Sequence, residues 1–184
     1  MKKSDRAWTT LSSAYVLRRR WMNLRMDHVR LPSGAEMPEF HVLEYPDWAA
    51  TICIREDGRH VLVEQYRYGV HRLSLEFASG AIDPGESPED GARRELLEET
   101  GYAADTFTHL GVFAPDPSKH TNWAHLYVAH GAKQVAEPQP DAGEDLRLVT
   151  LEVDELRQAV ADNRIIHGIH IAAIGLAEAR GLLR

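Results

Sequence analysis

The chain has 184 residues, of which 43% are hydrophobic and 27% charged, a composition typical of a globular protein that can bury a sizeable core. Its formal net charge of -7 argues against a general nucleic-acid-binding protein, although a bound cation could still attract nucleotides locally. The single cysteine, Cys53, excludes an intrachain disulfide, and its apolar neighbours predict a buried thiol. Because no apolar run resembles a signal peptide or reaches membrane-span length, we expect a cytoplasmic protein that binds neither membrane nor nucleic acid.

The first 46 residues differ in pattern from the rest of the chain. Apolar residues in partial alternation predict three strands, and Pro32-Ser33-Gly34 predicts a turn between the second and third. The predicted strands span residues 15–20, 22–30 and 39–45. Three short strands form a thin sheet that can hardly cover both of its faces. We therefore expect residues 1–46 to form a small β-sheet subdomain that packs on its own domain or on a partner subunit.

The main domain is expected to span residues 47–184. Apolar runs bounded by turn residues predict strands, and two apolar-periodic segments near the C-terminus predict helices, the first with Asp154 as a candidate cap. The predicted strands are 48–55, 60–68, 73–77, 107–113, 123–130 and 146–151, and the predicted helices are 155–162 and 165–180. Strands interleaved with a few helices indicate an α/β sandwich.

A third helix is predicted between residues 87 and 101, after the turn Asp83-Pro84-Gly85. Ser87 is a suitable N-cap and is followed by Pro88 at the first helical position, while Gly101 is a suitable C-terminal residue. Asp90, three residues after the cap, can complete an arrangement like a capping box.

This helix carries three glutamates on one face, because Glu95, Glu98 and Glu99 are spaced i, i+3 and i+4. Like charges so placed cost a few tenths of a kcal/mol per pair, roughly. The face is either a solvated acidic surface or a cation site. A further carboxylate in the preceding loop, Glu86, and an arginine that can orient the acids, Arg94, favour a cation such as Mg²⁺, which prefers oxygen ligands.

The same stretch resembles a known motif: Gly, five residues, Glu, seven residues, then Arg-Glu-apolar-x-Glu-Glu-x-Gly-apolar. The matching residues are Gly80, Glu86, Arg94, Glu95, Leu96, Glu98, Glu99, Gly101 and Tyr102. The chain is therefore identified as a member of the Nudix hydrolases, with Tyr102 as the only departure from the aliphatic residues of the motif. The resemblance implies an α/β/α sandwich with a mixed sheet, together with a small N-terminal antiparallel sheet.

The family's reaction is hydrolysis of a nucleoside diphosphate linked to another group, with Mg²⁺ as cofactor and Mn²⁺ as a possible substitute. By the motif, Glu95 and Glu99 are the expected metal ligands, and Glu98 lies close by and is counted with both the metal and the catalytic residues. The remaining expected metal partners are Glu86 and the backbone carbonyl of Ser79. The resemblance also implies that Arg94 holds these carboxylates in register.

Outside the motif, the segment LSLEFASGAIDPGE resembles the ADP-ribose and nucleotide-sugar pyrophosphatase branch, in which an LELPAG-like strand precedes the motif. Phe77-Ala78 replaces the usual Leu-Pro and Ser79 the usual Ala. Pro117, fifteen residues after Tyr102, lies near a proline that often marks ADP-ribose hydrolases. The branch implies a homodimer in which the N-terminal sheets are exchanged between subunits.

Two residues match substrate-binding positions of this branch, and Asn122 is a third candidate from its residue type. Arg67, at the end of an apolar strand, is expected near the substrate phosphates, with a surface ion pair as the alternative. Trp21 is expected to stack on the base, with simple packing as the alternative. Asn122 can hydrogen-bond the substrate, although a loop asparagine is more often a turn residue.

The general base is expected in the acidic loop Glu137–Gly143 or directly after it. Glu144 is the preferred residue, Asp141 and Asp145 are its rivals, and a merely solvated loop is the alternative. His167 and His170 are spaced i, i+3, but a third metal ligand is not evident, so packed or surface histidines are favoured.

Two other functions stay open from the sequence. The chain could act on another nucleoside diphosphate compound, such as an oxidised nucleotide or a dinucleotide. It could also sense ADP-ribose or a nucleotide sugar with weak catalysis, although the intact glutamates of the motif argue against this.

Overall fold

The computed structural model describes residues 5–141 and 143–183 and contains two compact units. The first comprises the chain up to Pro46 together with Ala114–Asn122, and the second comprises Asp47–Phe113 with the chain from Trp123 onward. Ala114–Asn122 joins the first unit because its main chain pairs with Leu43, which donates to Lys119 O at 2.8 Å and accepts from Thr121 N at 3.1 Å. Within the described residues, no helix combines the length and the apolar character needed to span a membrane.

The first unit contains the expected three-stranded antiparallel sheet, in the order β1-β2-β3. Its strands are β1 (Thr9–Arg18), β2 (Asn23–Arg30) and β3 (Glu36–Glu44). The prediction that the first strand starts at residue 15 was wrong, because the polar run Thr9–Ser13 pairs with β2 without any apolar alternation to signal it. Nearly every residue of β1 is exposed.

The second unit is built on an eight-stranded mixed sheet. Its strands are β4 (Trp48–Arg55), β5 (His60–Arg67), β6 (Arg72–Glu76), β7 (Ala78–Ala81), β8 (Tyr102–Ala103), β9 (Thr106–Phe113), β10 (Ala124–Gln134) and β11 (Arg147–Leu151). The central order is β11-β5-β4-β10-β8, while β6 pairs with β5, β7 with β4 and β9 with β10. The pair β4–β10 is parallel and the other pairs are antiparallel.

Three helices cover this sheet: α1 (Pro88–Thr100), α2 (Val153–Ala161) and α3 (Gly168–Ala179). Asp154 does not cap α2, contrary to the prediction. The cap is Glu152, whose N–H donates to the Glu155 carboxylate at 2.8 Å, while Asp154 lies inside the helix and pairs with Arg157. The last helix begins three residues later than predicted, because Ile165 is a buried core residue that precedes it.

Side chains of β4 alternate between two cores on opposite faces of the sheet. Ala50, Ile52 and Ile54 join a cluster with the buried residues of α2 and α3. Ala49 and Cys53 face Ala92 and Leu96 of α1 instead. Helices therefore lie on both faces, which confirms the expected α/β/α sandwich, and Cys53 is the buried thiol that its neighbours predicted.

Candidate active site

The helix α1 is capped at both ends by the predicted residues. Ser87 Oγ accepts from the Asp90 N–H at 3.1 Å and donates to the Asp90 carboxylate at 2.6 Å. At the other end Gly101 takes the left-handed conformation (φ 73°) and its N–H closes on Leu97 O at 2.8 Å. These caps fix where α1 begins and ends, and so fix which way its glutamates point.

Arg94 binds three of the motif carboxylates at once. It meets both oxygens of Glu86 at 3.0 Å, Glu95 at 2.7 Å and Glu98 at 3.0 Å, and it donates to Ala81 O at 2.9 Å. The hydrogen bonds from Arg94 hold the pKa of Glu86 below its usual value. Arg94 therefore acts on neighbouring acids, as the resemblance implied.

Glu99 is the buried acid of the motif, with 3% of its surface exposed. Burial raises its pKa to about 9; the Ser79 N–H, which donates at 3.0 Å, opposes this shift, while the charges of Glu95 and Glu144 add to it. Burial also raises the pKa of Glu95, whose carboxylate occupies the space that a Cβ on Gly80 would fill. The motif thus buries Glu95 and Glu99 where too little positive charge lies nearby to stabilise their ionised forms.

The expected metal donors are all oxygen atoms, which suits a hard divalent cation. Buried acids with raised pKa values are also stabilised in their ionised form by a nearby cation. Among the described residues, however, no group of three or more His, Cys, Asp or Glu side chains forms a ready-made metal site. The reason is visible in the contacts: Glu86, Glu95 and Glu98 converge on Arg94, while Glu99 binds Ser79.

On the β5–β6 strand pair, the Arg67 side chain reaches along the strands to Glu76, which lies opposite Val63. Two parallel hydrogen bonds join them, Nε to Oε1 at 2.8 Å and Nη2 to Oε2 at 2.5 Å. Glu76 is 1% exposed, whereas the Arg67 side chain is 43% exposed. Burial alone would raise the pKa of Glu76, but the bonds and charge of Arg67 outweigh it and the pKa lies below its usual value. Arg67 is thus anchored at a buried carboxylate and open to solvent on another side.

Arg67 and Glu76 line a cavity of about 540 Å³, together with Glu144 and His167. Of the three candidate bases, Glu144 is the one on this wall, and its carboxylate accepts from the Asp141 N–H at 2.9 Å. Ala142, in the same loop, lies outside the described residues. The charges of Arg67 and Glu144 both act on Glu99, so this acid of α1 lies within electrostatic range of the cavity.

The two remaining predicted residues belong to the first unit. Trp21 is 62% exposed, and the Arg20 guanidinium lies 4.4 Å from its ring centre. Asn122 is buried, and its Oδ1 has no hydrogen-bond partner among the described residues. Their roles at the substrate stay predictions.

Among the titratable residues of the cavity, sequence reasoning did not assign Glu76 to the site and considered His167 only as a metal ligand. Glu76 did carry a signal, because it stands between the apolar residues Leu75 and Phe77 in a strand, where a charged side chain needs a buried partner. His167 gave no comparable signal, because its place in the cavity depends on how α3 packs.

Comparisons with known proteins agree with this architecture. Residues 45–168 match the NUDIX domain, and residues 8–43 match the nucleoside diphosphate sugar hydrolase N-terminal domain. The chain belongs to the Nudix hydrolases. Within this family it is 32% identical over 166 residues to the methanol dehydrogenase activator of Bacillus methanolicus, covering 90% of this chain and 89% of the relative.

One further relative carries a name that describes a substrate, and one solved structure matches the fold. The chain is 28% identical over 144 residues to the ADP-ribose pyrophosphatase of Bacillus subtilis (strain 168), covering 78% of this chain and 77% of the relative. Its fold matches the crystal structure of an ADP compounds hydrolase with a TM-score of 0.84 and 24% identity, covering 98% of this chain and 100% of the other.

Proposed function

We propose that this Nudix hydrolase cleaves nucleoside diphosphate sugars such as ADP-ribose, yielding a nucleoside monophosphate and a sugar phosphate. The observation that carries the proposal is the cavity lined by Arg67 and Glu144, whose charges both act on Glu99. Hydrolysis of a pyrophosphate needs a cationic contact, a carboxylate that can accept a proton and acids that can hold a metal, and Arg67, Glu144 and the glutamates of α1 are the candidates for these three roles. The names of the relatives and of the N-terminal family support the sugar-linked substrate.

In this proposal Glu95 and Glu99 would hold Mg²⁺ or Mn²⁺, with Glu98, Glu86 and the Ser79 carbonyl as the further candidate donors. The bound cation would neutralise phosphate charge and lower the pKa of an attacking water. Arg67 binds the phosphates while Glu76 keeps its guanidinium in place. Glu144 accepts the proton of the water, and Arg94 keeps the acids of α1 in register.

We also propose a homodimer in the cytoplasm, in which Trp21 of one subunit stacks on the base in the other's site and Asn122 binds substrate. The support is the group of large apolar side chains exposed on β1 and directly before it, together with the match to an N-terminal family. The exposed residues are Trp8, Leu11, Tyr15 and Val16. Light scattering should give twice the 20.7 kDa chain mass. A stable monomer with full activity would contradict the dimer and the role of Trp21.

The test of function is a substrate panel with Mg²⁺, in which released phosphate is measured after coupling to a phosphatase. ADP-ribose and other nucleoside diphosphate sugars should be the best substrates, and chelator should abolish the signal. Preference for oxidised nucleotides or dinucleotides would keep the family and reject the substrate class. Tight binding of ADP-ribose without turnover would favour a sensor.

A further inference from the structure

Phe77 lies at the point where one extended segment changes its pairing partner. The strand before it, β6, pairs with β5 through Glu76 and Val63, and the strand after it, β7, pairs with β4 through Ala78 and Thr51. Phe77 itself is 1% exposed, so its N–H needs a partner inside the protein. That partner is Nδ1 of His170, at 3.3 Å.

His170 is held tightly in its place on the first turn of α3. Its ring is fully buried and stacks on the His167 ring, with 4.5 Å between centroids and 22° between planes. Trp48 and Phe77 flank it at 6.0 and 5.8 Å. Because Nδ1 accepts a hydrogen bond, the ring proton must reside on Nε2. His170 is therefore a neutral acceptor held by ring packing and by its bond to Phe77, since its Nε2 has no hydrogen-bond partner among the described residues.

The Phe77 peptide, which bonds to His170, lies in the sequence between two residues that hold active-site side chains. One residue before Phe77, Glu76 holds the Arg67 guanidinium at the cavity. Two residues after it, the Ser79 N–H holds the Glu99 carboxylate. A shift of the Phe77 peptide would turn the Glu76 side chain and displace the Arg67 guanidinium that is bonded to it. Such a displacement matters because misplacing a binding group by about 1 Å can lower the rate of an enzyme about a hundredfold.

We propose that His170 is a positioning residue for hydrolysis, which fixes the Phe77 peptide so that Glu76 presents Arg67 to the substrate phosphates. The inference rests on the proposed function of the cavity. It assigns His170 no contact with substrate and no proton transfer.

Two variants of His170 separate its hydrogen bond from its ring. His170→Phe keeps a planar ring in the stack but removes the acceptor, whereas His170→Asn keeps an acceptor near Nδ1 but removes the ring. We expect His170→Phe to raise KM for ADP-ribose about tenfold, with kcat changed by less than about threefold. The reason is that the buried Phe77 N–H is left unpaired next to Glu76, which positions Arg67 for substrate binding. His170→Asn should recover KM to within about threefold of wild type.

The matched control is His60→Phe. His60 is also fully buried, but it is the first residue of β5, seven positions before Arg67. This variant should lose stability without a change in KM. Equal KM effects in His60→Phe and His170→Phe, or no recovery in His170→Asn, would overturn the proposal.

A double variant tests whether His170 acts through Arg67. In an Arg67→Lys background, which removes the two-pronged bond to Glu76, His170→Phe should have little further effect on KM. If both substitutions multiply their effects independently, His170 does not act through this arginine and the proposal fails.

A readout without substrate keeps this inference separate from the proposed function. In wild-type protein, ¹⁵N NMR should show His170 with its proton on Nε2 and an Arg67 Nε–H signal protected from exchange, assigned by its loss in Arg67→Lys. His170→Phe should shift that signal and speed its exchange. A His170 proton on Nδ1, or an unchanged Arg67 signal in folded His170→Phe, would overturn the positioning role even if the enzyme hydrolyses ADP-ribose as proposed. Failure of the substrate panel with the expected NMR result would instead reject the function alone.

Discussion

The two sides of the active site use arginine in different ways. On the helix side, Arg94 is shared among Glu86, Glu95 and Glu98 and is turned toward the acids. On the strand side, Arg67 has one carboxylate partner, Glu76, and keeps 43% of its side chain exposed at the cavity. The same side chain therefore has two different roles: Arg94 arranges the acids, whereas Arg67 is available to a ligand.

This difference separates metal binding from substrate binding within one site. Substitutions on the helix side should lower kcat and weaken activation by the metal. Substitutions on the strand side should weaken substrate binding and so raise KM.

Glu99→Gln should lower turnover about a thousandfold or more, roughly 4 kcal/mol in activation free energy, because it removes a charge from the expected metal site. The fold should survive, since the amide fills the same volume and its oxygen can still accept from the Ser79 N–H. The measurement is kcat over a Mg²⁺ titration. Glu89→Gln is the control, because Glu89 lies on the same helix, is exposed and pairs with Arg93. Full activity of Glu99→Gln, or of wild type in chelator, would reject the metal assignment.

Glu144→Gln should lower kcat about a hundredfold, the effect expected for loss of a general base. The Mg²⁺ concentration for half-maximal activity should hardly change, because Glu144 lies in the loop wall and not on α1. Asp141→Asn is a suitable control, since Asp141 holds Glu144 through its backbone N–H, which the substitution retains. If Asp141→Asn or Glu98→Gln loses turnover while Glu144→Gln keeps it, the base is misassigned.

Arg67→Lys should raise KM about ten- to thirtyfold with a smaller change in kcat, because lysine cannot reproduce a two-pronged contact. Arg94→Lys should do the reverse, weakening Mg²⁺ activation and kcat with little effect on KM. Arg147→Lys is the control for disrupting an Arg–Glu pair as such, since Arg147 pairs with Glu64 between β11 and β5. Similar kinetic patterns for Arg67→Lys and Arg94→Lys would remove the proposed division between the two sides.

The helix side was predictable because its information is local. The caps of α1, the shared face of its glutamates and the role of Arg94 all come from residues 80–102, where turn chemistry and helical spacing determine the geometry. The mixed sheet and the sandwich followed from the resemblance. Strand ends were less predictable, and β1 was missed in part because polar residues gave no pattern.

The strand side was harder because it depends on long-range packing. The register of β5 with β6 places Arg67 opposite Arg72, and only its long side chain reaches Glu76. The position of α3 brings His170 to Phe77, 93 residues away. Neither follows from periodicity. Arg67 was predicted from the resemblance and Glu144 from the acidic loop that precedes β11, whereas Glu76 and the place of His167 in the cavity were found only once the strands and helices were placed.

The smallest predicted effect concerns pH and the metal-free protein. Glu99 has a pKa of about 9 in the folded state, above its value in an unfolded chain, so near neutral pH the folded protein binds a proton that the unfolded chain does not. Its contribution to stability is complete below the unfolded pKa and is lost as the pH rises through the folded pKa. Between pH 7 and 8 the free energy of unfolding should therefore fall by about 1 kcal/mol, or roughly 2–4 °C in Tm.

The range above pH 7 isolates this effect from the buried histidines. The pKa of His170 is lowered to about 3 by burial, so its contribution changes the stability below the unfolded histidine pKa and in the opposite direction, with stability lost as the pH falls. Thermal unfolding in chelator should show the alkaline decline in wild type and not in Glu99→Gln. Saturating Mg²⁺ should also remove it, because a cation beside Glu99 stabilises the ionised form. If the stability of Glu99→Gln still declines above pH 7, another group titrates in this range. Ionised Glu99 would then not need the stabilising cation that we assign to this site.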